Sequence, residues 1–315
     1  MNPNLPQSRL KSEQGVVLIA VLWLLALLTL MAGSYSATTR TELRLTAAQF
    51  HAAQARGLAE TGVWLGVQQL LQPVNASAPI TSGIDKFPFG AGVITVQIQD
   101  EAGKIDLNTA RPEILLGLLQ SAGADTVQAI SLRDAIVDWR DRDNLRRAAG
   151  AEDDDYRAQG RHHGAKDGPF NSVEELRAVL GMTEPLFQQM RSALTLSSHQ
   201  PGIAGAVAVP QALAAVPGAT PAAVDSYLKQ RALALPPGAP ARAPPMGMEM
   251  RYLSGRRSQT YALTSTGKVA DTEVTIEATV QLRPAGQPPY AILSWREAPW
   301  RGAGIDVAPP APERG

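Results

Sequence analysis

The chain has 315 residues, and its 29 Lys and Arg balance 29 Asp and Glu, so its formal net charge at pH 7 is zero. That length allows one membrane anchor with one large or two small globular units, and the neutral balance excludes a general attraction to nucleic acid or acidic lipid. Because there is no cysteine, disulfides, thiolate metal sites and cysteine nucleophiles are excluded as well.

An uncharged apolar run follows the polar N-terminal segment. After Gly15 the sequence VVLIAVLWLLALLTLMAG reaches Gly33 without a charge, and two basic residues outweigh one acidic residue before it. About 18 to 20 apolar residues span a bilayer as a helix, and positive flanks stay in the cytoplasm. A secretory signal peptide is the alternative, but its apolar region is shorter, about 7 to 15 residues. The sequence predicts a single transmembrane helix over residues 16–34, with the rest of the chain across the membrane.

The apolar run continues into a segment that suits an unbroken helix, which makes residues 16–72 one helix of about 85 Å at 1.5 Å per residue. Its second half is predicted to be a spine with one buried face, because apolar residues recur there at helical spacing. The residues of this face are Leu43, Phe50, Leu58, Val63, Trp64, Val67 and Leu71.

Three later segments alternate apolar and polar residues, as half-buried antiparallel strands do. They are AGVITVQIQD, TYALTSTGKV and TEVTIEATVQL, and residues 290–295 are a further candidate strand. We expect one small sheet packed on the spine helix. The apolar positions of the first and third segments are Ile94, Val96, Ile98, Val274, Ile276, Ala278, Val280 and Leu282.

Between the first strand and the others, residues 104–245 are rich in Ala and Leu and predict an inserted helical domain. In its opening sequence, KIDLNTARPEILLGLLQ, Asn108 or Thr109 can cap a helix whose first turn holds Pro112 and Glu113.

A helix-hairpin-helix is predicted in NSVEELRAVLGMTEPLFQQMRSAL. Ser172 and Glu175 have capping-box spacing, Gly181 ends one helix and Thr183 begins the next. A weaker echo of the same pattern, which suggests an internal duplication, contains Pro217, Gly218 and Thr220.

The densest acidic cluster lies in IVDWRDRDNLRRAAGAEDDDYR, whose acids are Asp138, Asp141, Asp143, Glu152, Asp153, Asp154 and Asp155. Closely spaced carboxylate oxygens suit calcium, which takes six to eight oxygen ligands. The alternative is a solvated charge run in which the acids are neutralised by Arg140, Arg142, Arg146 and Arg147. Neither His162 and His163, in a basic loop, nor any Ser-His-Asp set predicts a zinc site or an active site, so we expect no enzyme.

A short basic leader ending in glycine, followed by an apolar stretch that merges into a long helix, resembles the type IV pilin and pseudopilin class. The resemblance implies cleavage by a prepilin peptidase after Gly15 and a methylated new N-terminus at Val16. Most members carry Glu at the fifth mature position, where this chain has Ala20. That Glu compensates the N-terminal amine of a neighbouring subunit, and a buried unpaired charge is costly. Its absence implies a subunit at the tip of the filament.

The leader, KIDLNTA, DWxDxD, GAED and the GMT turn together are similar to the general secretion pathway protein K family of type II secretion. The resemblance implies an α+β, pilin-like fold with a helical insert, and a minor pseudopilin that caps the periplasmic pseudopilus with other minor pseudopilins. It also implies calcium held by Asp141, Asp143, Glu152 and Asp153, with Asp154 and Asp155 facing solvent. The implied divisions are leader 1–15, transmembrane helix 16–34, spine and first strands 35–103, insert 104–245, remaining strands 246–298 and tail 299–315.

Two rival functions remain open. Helix-hairpin-helix turns can bind DNA phosphates through backbone amides, and LNTA also occurs in competence-type DNA receptors, so a membrane-anchored DNA-binding protein is one alternative. The turns here lack a second glycine, and basic residues are not concentrated beside them, so we expect no nucleic-acid partner. A membrane-anchored periplasmic enzyme is the other.

Overall fold

The computed structural model describes residues 10–72, 84–232, 247–256, 258–283 and 288–298, without the side chains of 10–16, 33–34, 36–41 and 84–85. Its helices are α1 (Leu10–Leu71), α2 (Pro112–Ser121), α3 (Thr126–Arg140), α4 (Asp153–Ala158), α5 (Glu184–Met190), α6 (Pro210–Ala214) and α7 (Pro221–Ala232). Its strands are β1 (Ile84–Phe89), β2 (Gly92–Asp100), β3 (Ile105–Asp106), β4 (Leu194–Thr195), β5 (Ile203–Ala204), β6 (Leu253–Ser254), β7 (Thr260–Val269), β8 (Thr272–Leu282) and β9 (Tyr290–Glu297).

Five strands form one antiparallel sheet in the order β1-β2-β7-β8-β9. The central pair, β2 and β7, runs in register from Gly92 opposite Val269 to Asp100 opposite Tyr261, although residues 101–259 lie between the two strands. Helices α2 to α7 all occur in that interval. The predicted mixed α and β fold with an antiparallel sheet is therefore confirmed.

The alternation predicted for the strands matches their burial. Ile94, Val96 and Ile98 of β2 are buried, as are Ile276, Ala278 and Val280 of β8. These residues share one face of the sheet, because directly paired residues point to the same side. That face packs against α1.

The predicted buried face of α1 is wrong in part. The residues that α1 buries are Ala55, Ala59, Val63, Val67 and Leu70. Leu43, Phe50, Trp64 and Leu71 are exposed instead. Only the last turns of α1 meet the sheet, and the small residues Ala55 and Ala59 are among those that face it.

Close approach of α1 to the sheet depends on glycine. A Cβ on Gly267 of β7 would lie 2.0 Å from the Ala55 carbonyl oxygen and 2.7 Å from the Ala59 nitrogen. A Cβ on Gly62 would lie 2.1 Å from Ser265 Oγ. Since backbone atoms cannot move aside as a flexible side chain can, Gly267 fixes how near the helix lies.

The first helix of the insert is not capped as predicted. The N-cap of α2 is Arg111, without a side-chain cap hydrogen bond. Asn108 instead exchanges two hydrogen bonds with the backbone of Phe170, at 2.7 and 3.1 Å, and the Thr109 hydroxyl donates to the Gln200 carbonyl. Both side chains join distant parts of the insert, so neither is available to the helix.

The predicted capping box is also wrong. Val173–Ala178 is a 3₁₀ helix, and Ser172 makes no side-chain cap. The Glu175 carboxylate accepts a hydrogen bond from Trp139 Nε1 at 3.1 Å and lies 2.7 Å from Lys166 Nζ. These partners occupy the carboxylate that would have closed the box.

The predicted turn positions are where expected. Gly181 has φ +85°, and Thr183 is the N-cap residue of α5. Gly218, with φ +81°, lies between α6 and α7. A duplication of complete helix-hairpin-helix units stays a prediction, since the first element of one pair is only a 3₁₀ turn.

Several predictions concern the ends of the chain. Residues 1–9 of the predicted leader and the predicted tail 299–315 lie outside the described residues, and the predicted anchor includes undescribed side chains. No helix within the described side chains is long and apolar enough to span a membrane.

Gly267→Ala is expected to lower the free energy of unfolding by about 1 to 3 kcal/mol, because the added methyl overpacks the contact with α1. Gly57→Ala is the control, since a Cβ there meets nothing within 4 Å; it should gain roughly 0.5 to 1 kcal/mol of helix propensity. Denaturant titration of the two variants measures both. Equal midpoints would contradict the close contact.

Candidate metal centre

The acidic loop leaves the end of α3 and is folded back onto it. Asp138 is fully buried, and its carboxylate accepts the backbone N–H of Arg147 at 3.1 Å and lies 3.4 Å from Arg147 Nε. One turn earlier, Asp134 accepts the backbone N–H of Ala149 at 3.3 Å. Asp134 and Asp138, four residues apart on one face of α3, therefore both accept hydrogen bonds from the backbone of the loop.

Several carboxylate oxygens in this loop are buried without a hydrogen bond. They are Asp138 Oδ1, Asp141 Oδ1 and both carboxylate oxygens of Glu152. Glu152 is only 5% exposed. A buried carboxylate without a partner is unfavourable in its ionised form, so this part of the chain requires either a proton or a cation.

The pKa values express the same requirement. Burial, opposed in part by hydrogen bonds from the loop backbone, raises the pKa of Asp138 to about 6. Burial, reinforced by repulsion from Asp138, Asp167, Asp141 and Asp143, raises the pKa of Glu152 to about 7. The pKa of Asp141 is raised as well, first by burial and then by repulsion from Asp143.

The arginines of the loop neutralise the cluster only in part, because Arg146 and Arg147 each pair with one of its acids. Arg140 turns away and donates to the carbonyls of Leu107 and Ala110, and burial lowers its pKa. Arg146 lies 3.1 Å from Asp155. Arg147 is the one loop arginine that the described residues place against a buried acid of the cluster.

Three of the four predicted ligands belong to this electrostatic group, namely Asp141, Asp143 and Glu152. Asp153 begins α4, and its Oδ2 lies 3.0 Å from an Arg157 nitrogen. Asp154 is 95% exposed, as expected. Asp153 as a ligand stays a prediction.

Sequence reasoning placed Asp138 in the acidic cluster without naming it as a ligand, and it missed Asp167. Asp138 lies one helical turn before Asp141, and this i, i+3 spacing was the signal that could have placed both acids together. Asp167 lies beyond α4, and no local pattern connects it with the loop; only folding brings it near Glu152 and Asp141.

An aromatic cluster lies beneath the loop. The Trp139 ring is 5.8 Å from Tyr156 and 6.1 Å from Phe170, and the Tyr156 hydroxyl accepts the Leu180 N–H at 3.0 Å. His163 packs at the edge of Trp139, 5.9 Å away. Its position against these rings is consistent with a loop histidine rather than a zinc ligand.

The donor set fits calcium chemically, because it consists of carboxylate oxygens, and those of Glu152 have no hydrogen-bond partner. Across the described residues, no three His, Asp or Glu side chains already form a metal-binding group. The carboxylates are therefore near one another but not closed around a common point. To bind a hard cation, these carboxylates would have to move closer together. Without the metal, their mutual repulsion opposes that movement.

The fold and this centre define an α+β chain in which a helical insert with an acidic loop interrupts an antiparallel sheet. Residues 96–199, which include that loop, match the family model described as type II secretion system (T2SS), protein K. The predicted similarity to the protein K family is confirmed by this match and by the curated relatives.

The curated relatives are proteins named type II secretion system protein K. The one from Klebsiella pneumoniae is 26% identical over 199 residues, and the one from Pectobacterium carotovorum is 27% identical over 200 residues. Each alignment covers 56% of this chain and 61% of the relative. The chain thus spans about three fifths of the length of the relatives it matches.

A solved structure shares the fold. It is the GspK-GspI-GspJ complex of the enterotoxigenic Escherichia coli type 2 secretion system, matched with a TM-score of 0.54 and 19% identity. The match covers 84% of this chain and all of the solved chain.

Millimolar calcium is expected to raise the melting temperature of the purified chain, because a ligand that binds only the folded state stabilises it, by about 2.7 kcal/mol at 100 times its Kd. Chelator should reverse the shift. Magnesium, which prefers rigid octahedral sites, is the matched control and should give a smaller shift. An unchanged melting temperature with calcium and with chelator contradicts the site.

In chelator, the free energy of unfolding is expected to fall as pH rises between about 4 and 7. The folded chain keeps protons on Asp138 and Glu152 that the unfolded chain releases at lower pH, so ionisation costs stability there and the curve flattens above about 7. Calcium should abolish this loss, since it binds the ionised carboxylates. Glu152→Gln should flatten the pH profile; a slope equal to that of the unaltered chain contradicts the assignment.

Proposed function

We propose that this chain is a minor pseudopilin of a type II secretion system, which caps the tip of the periplasmic pseudopilus and so supports protein export across the outer membrane. The carrying observation is the sheet: β2 and β7 are neighbours, yet the whole helical insert lies between them in the chain. A subunit with so large an insert would clash with neighbours inside a helical array, whereas the tip has room for it.

The N-terminal residues support a single membrane anchor. Apolar side chains in this part of α1 are largely exposed; Leu22, Trp23 and Leu30 are 67%, 72% and 73% exposed. Exposed apolar area of this extent is unfavourable in water and favourable in lipid. We propose that residues 16–34 cross the inner membrane with the N-terminus in the cytoplasm and residues after 34 in the periplasm.

Processing by a prepilin peptidase belongs to the same proposal. Cleavage after Gly15 would leave Val16 as a methylated N-terminus, and Ala20 would occupy the position where most subunits carry Glu. A tip subunit has no subunit above it whose amine needs that carboxylate. The argument from Ala20 is independent of the argument from the size of the insert.

Calcium would complete the insert. Asp141, Asp143 and Glu152, with the buried Asp138, supply oxygen donors whose repulsion a divalent cation would remove. The role of the ion would be structural, because no step of bond making or breaking is involved. It would hold the loop against Trp139 and its aromatic neighbours.

The proposed partners are other minor pseudopilins, since the solved complex that shares this fold joins GspK to GspI and GspJ. The apolar edge near the end of α1, where Trp64 lies 6.1 Å from Trp295 and both are partly exposed, is one surface available to them. The exposed residues 42–50 of α1 offer a second.

The geometry of the second hairpin turn, at Gly218, disfavours the DNA-binding alternative. A Cβ on Gly218 would lie 2.0 Å from the Gly247 carbonyl oxygen, and the Glu249 N–H donates to the Pro217 carbonyl. One side of this turn therefore packs against residues 247–249 and is not available to phosphate. A gel shift at low salt, where phosphate contacts are strongest, is the direct check.

N-terminal sequencing of the protein from membranes tests the proposal. With the prepilin peptidase present, the chain should begin at Val16; without it, the leader should remain. Gly15→Ala is expected to block cleavage and to abolish secretion, whereas Gly57→Ala, on the exposed part of α1, should leave both unchanged. A chain that begins elsewhere, or secretion that is independent of Gly15, contradicts a pseudopilin role.

A further inference from the structure

Three exposed arginines meet where the insert joins the sheet. Arg111 immediately precedes α2, and Arg251 and Arg256 lie between α7 and β7. The Arg111 N–H donates to the Pro201 carbonyl at 3.1 Å. The neighbouring Gln200 donates through Nε2 to the Arg256 carbonyl at 3.4 Å. The fold therefore gathers positive charge from segments that are far apart in the chain.

The side chains of two of these arginines share one aromatic ring. The guanidinium carbons of Arg111 and Arg251 lie 5.8 and 4.9 Å from the centroid of the Tyr252 ring. Tyr252 is only 2% exposed, so the ring is a fixed support, whereas the Arg251 side chain is 64% exposed. A stacked guanidinium has fewer conformations open to it, so it loses less entropy when it binds a partner.

The chain neutralises only part of this positive charge. Among the described residues, neither Arg111 nor Arg256 has an ion pair with an acid, and Glu113 in the first turn of α2 makes none with Arg111. Arg251 lies 2.7 Å from Glu249, but both side chains are largely exposed, and exposed pairs contribute little to stability. A carboxylate from outside the chain could therefore replace Glu249 at small cost.

The residues beside these arginines are typical of a protein interface. Met250 precedes Arg251 in the chain and is 62% exposed. Arg, Met and aromatic residues are enriched at protein–protein interfaces. A free phosphate ion could pair with the arginines but would leave the methionine in water, whereas a protein partner can cover both.

The position of the arginines disfavours a membrane as the partner. A Cβ on Gly62 of α1 would meet Ile94, and one on Gly66 would meet Val96, so α1 runs along β2 towards the insert. Residue 66 lies about 50 Å from residue 34, the end of the proposed anchor, at 1.5 Å per residue. The arginines are therefore at the end of the sheet that is remote from the proposed anchor.

We propose that Arg111, Arg251 and Arg256 form a docking surface for an acidic segment of another protein. Carboxylates of that segment bind the guanidinium groups of Arg111 and Arg251, since a planar guanidinium can donate two parallel hydrogen bonds to one carboxylate. Arg256 extends the positive field that attracts the partner. This surface is separate from the acidic loop and does not depend on calcium or on cleavage at Gly15.

Fluorescence anisotropy of a labelled decaglutamate peptide, titrated with the full chain in nonionic detergent, tests the proposal. The unaltered chain should bind the peptide at low salt and bind it more weakly at about 150 mM salt, because exposed charges are screened. Arg111→Gln combined with Arg251→Gln should lower the affinity about tenfold or more, since two charge-assisted contacts are lost. Lys268→Gln is the matched control and should change it less than about twofold, because Lys268 is an exposed cation paired with Glu273 at the opposite end of the sheet.

A second double variant, Arg111→Lys with Arg251→Lys, keeps both charges and long side chains over Tyr252 while removing the planar guanidinium. It should fold even if the glutamine pair does not, and it should bind decaglutamate more weakly than the unaltered chain. Equal binding by the unaltered chain and both double variants, or an equal loss in Lys268→Gln, would show that the arginines are not a specific surface. Binding to phosphatidylglycerol vesicles without binding to decaglutamate would also overturn the proposal, because the partner would then be a lipid.

Discussion

The pairing of β2 with β7 is the constraint on which the remaining structure depends. Nine residue pairs, from Gly92–Val269 to Asp100–Tyr261, join two distant parts of the chain. The sheet so completed supplies the apolar face on which α1 packs, and the interruption places the insert beside the sheet rather than within it. Asp100 marks the junction, since its carboxylate accepts the N–H groups of both Ala102 and Ser258.

Within the insert, packing and electrostatics oppose each other. A continuous core holds α2, α3 and the later helices together, and that core brings acidic side chains close to one another under a layer of loop. The aromatic rings of Trp139, Tyr156 and Phe170 exclude water from below, which strengthens the repulsion above them. The stability of the insert therefore depends on the proton or cation that neutralises Asp138 and Glu152.

The local sequence pattern was sufficient to predict the strands, but it could not predict the contacts between distant segments. Alternation located β2, β7 and β8 because each has one buried face, whereas β1, with its internal proline at Pro88, carries no such signal. The spine face was assigned from large apolar residues, but a helix that lies close to a sheet needs small ones, such as Ala55 and Ala59. The caps expected at Asn108 and Ser172 were wrong for a similar reason, since Asn108 and Glu175, the expected partner of Ser172, bind distant residues instead. Asp167 could not have been found, since its place beside the loop is created by folding alone.

The interrupted sheet also imposes an order on folding. During synthesis from the N-terminus, β1 and β2 are made long before β7. The edge of β2 that pairs with β7 therefore stays unpaired until the insert has been synthesised. Closing a loop of this length is slow compared with forming local helices, and an open strand edge is where chains associate wrongly. The insert, whose contacts are largely internal, can become compact first and bring Ala102 and Ser258 together at its base. The folded insert would then hold the start of β7 near the end of β2, so that the two strands pair faster.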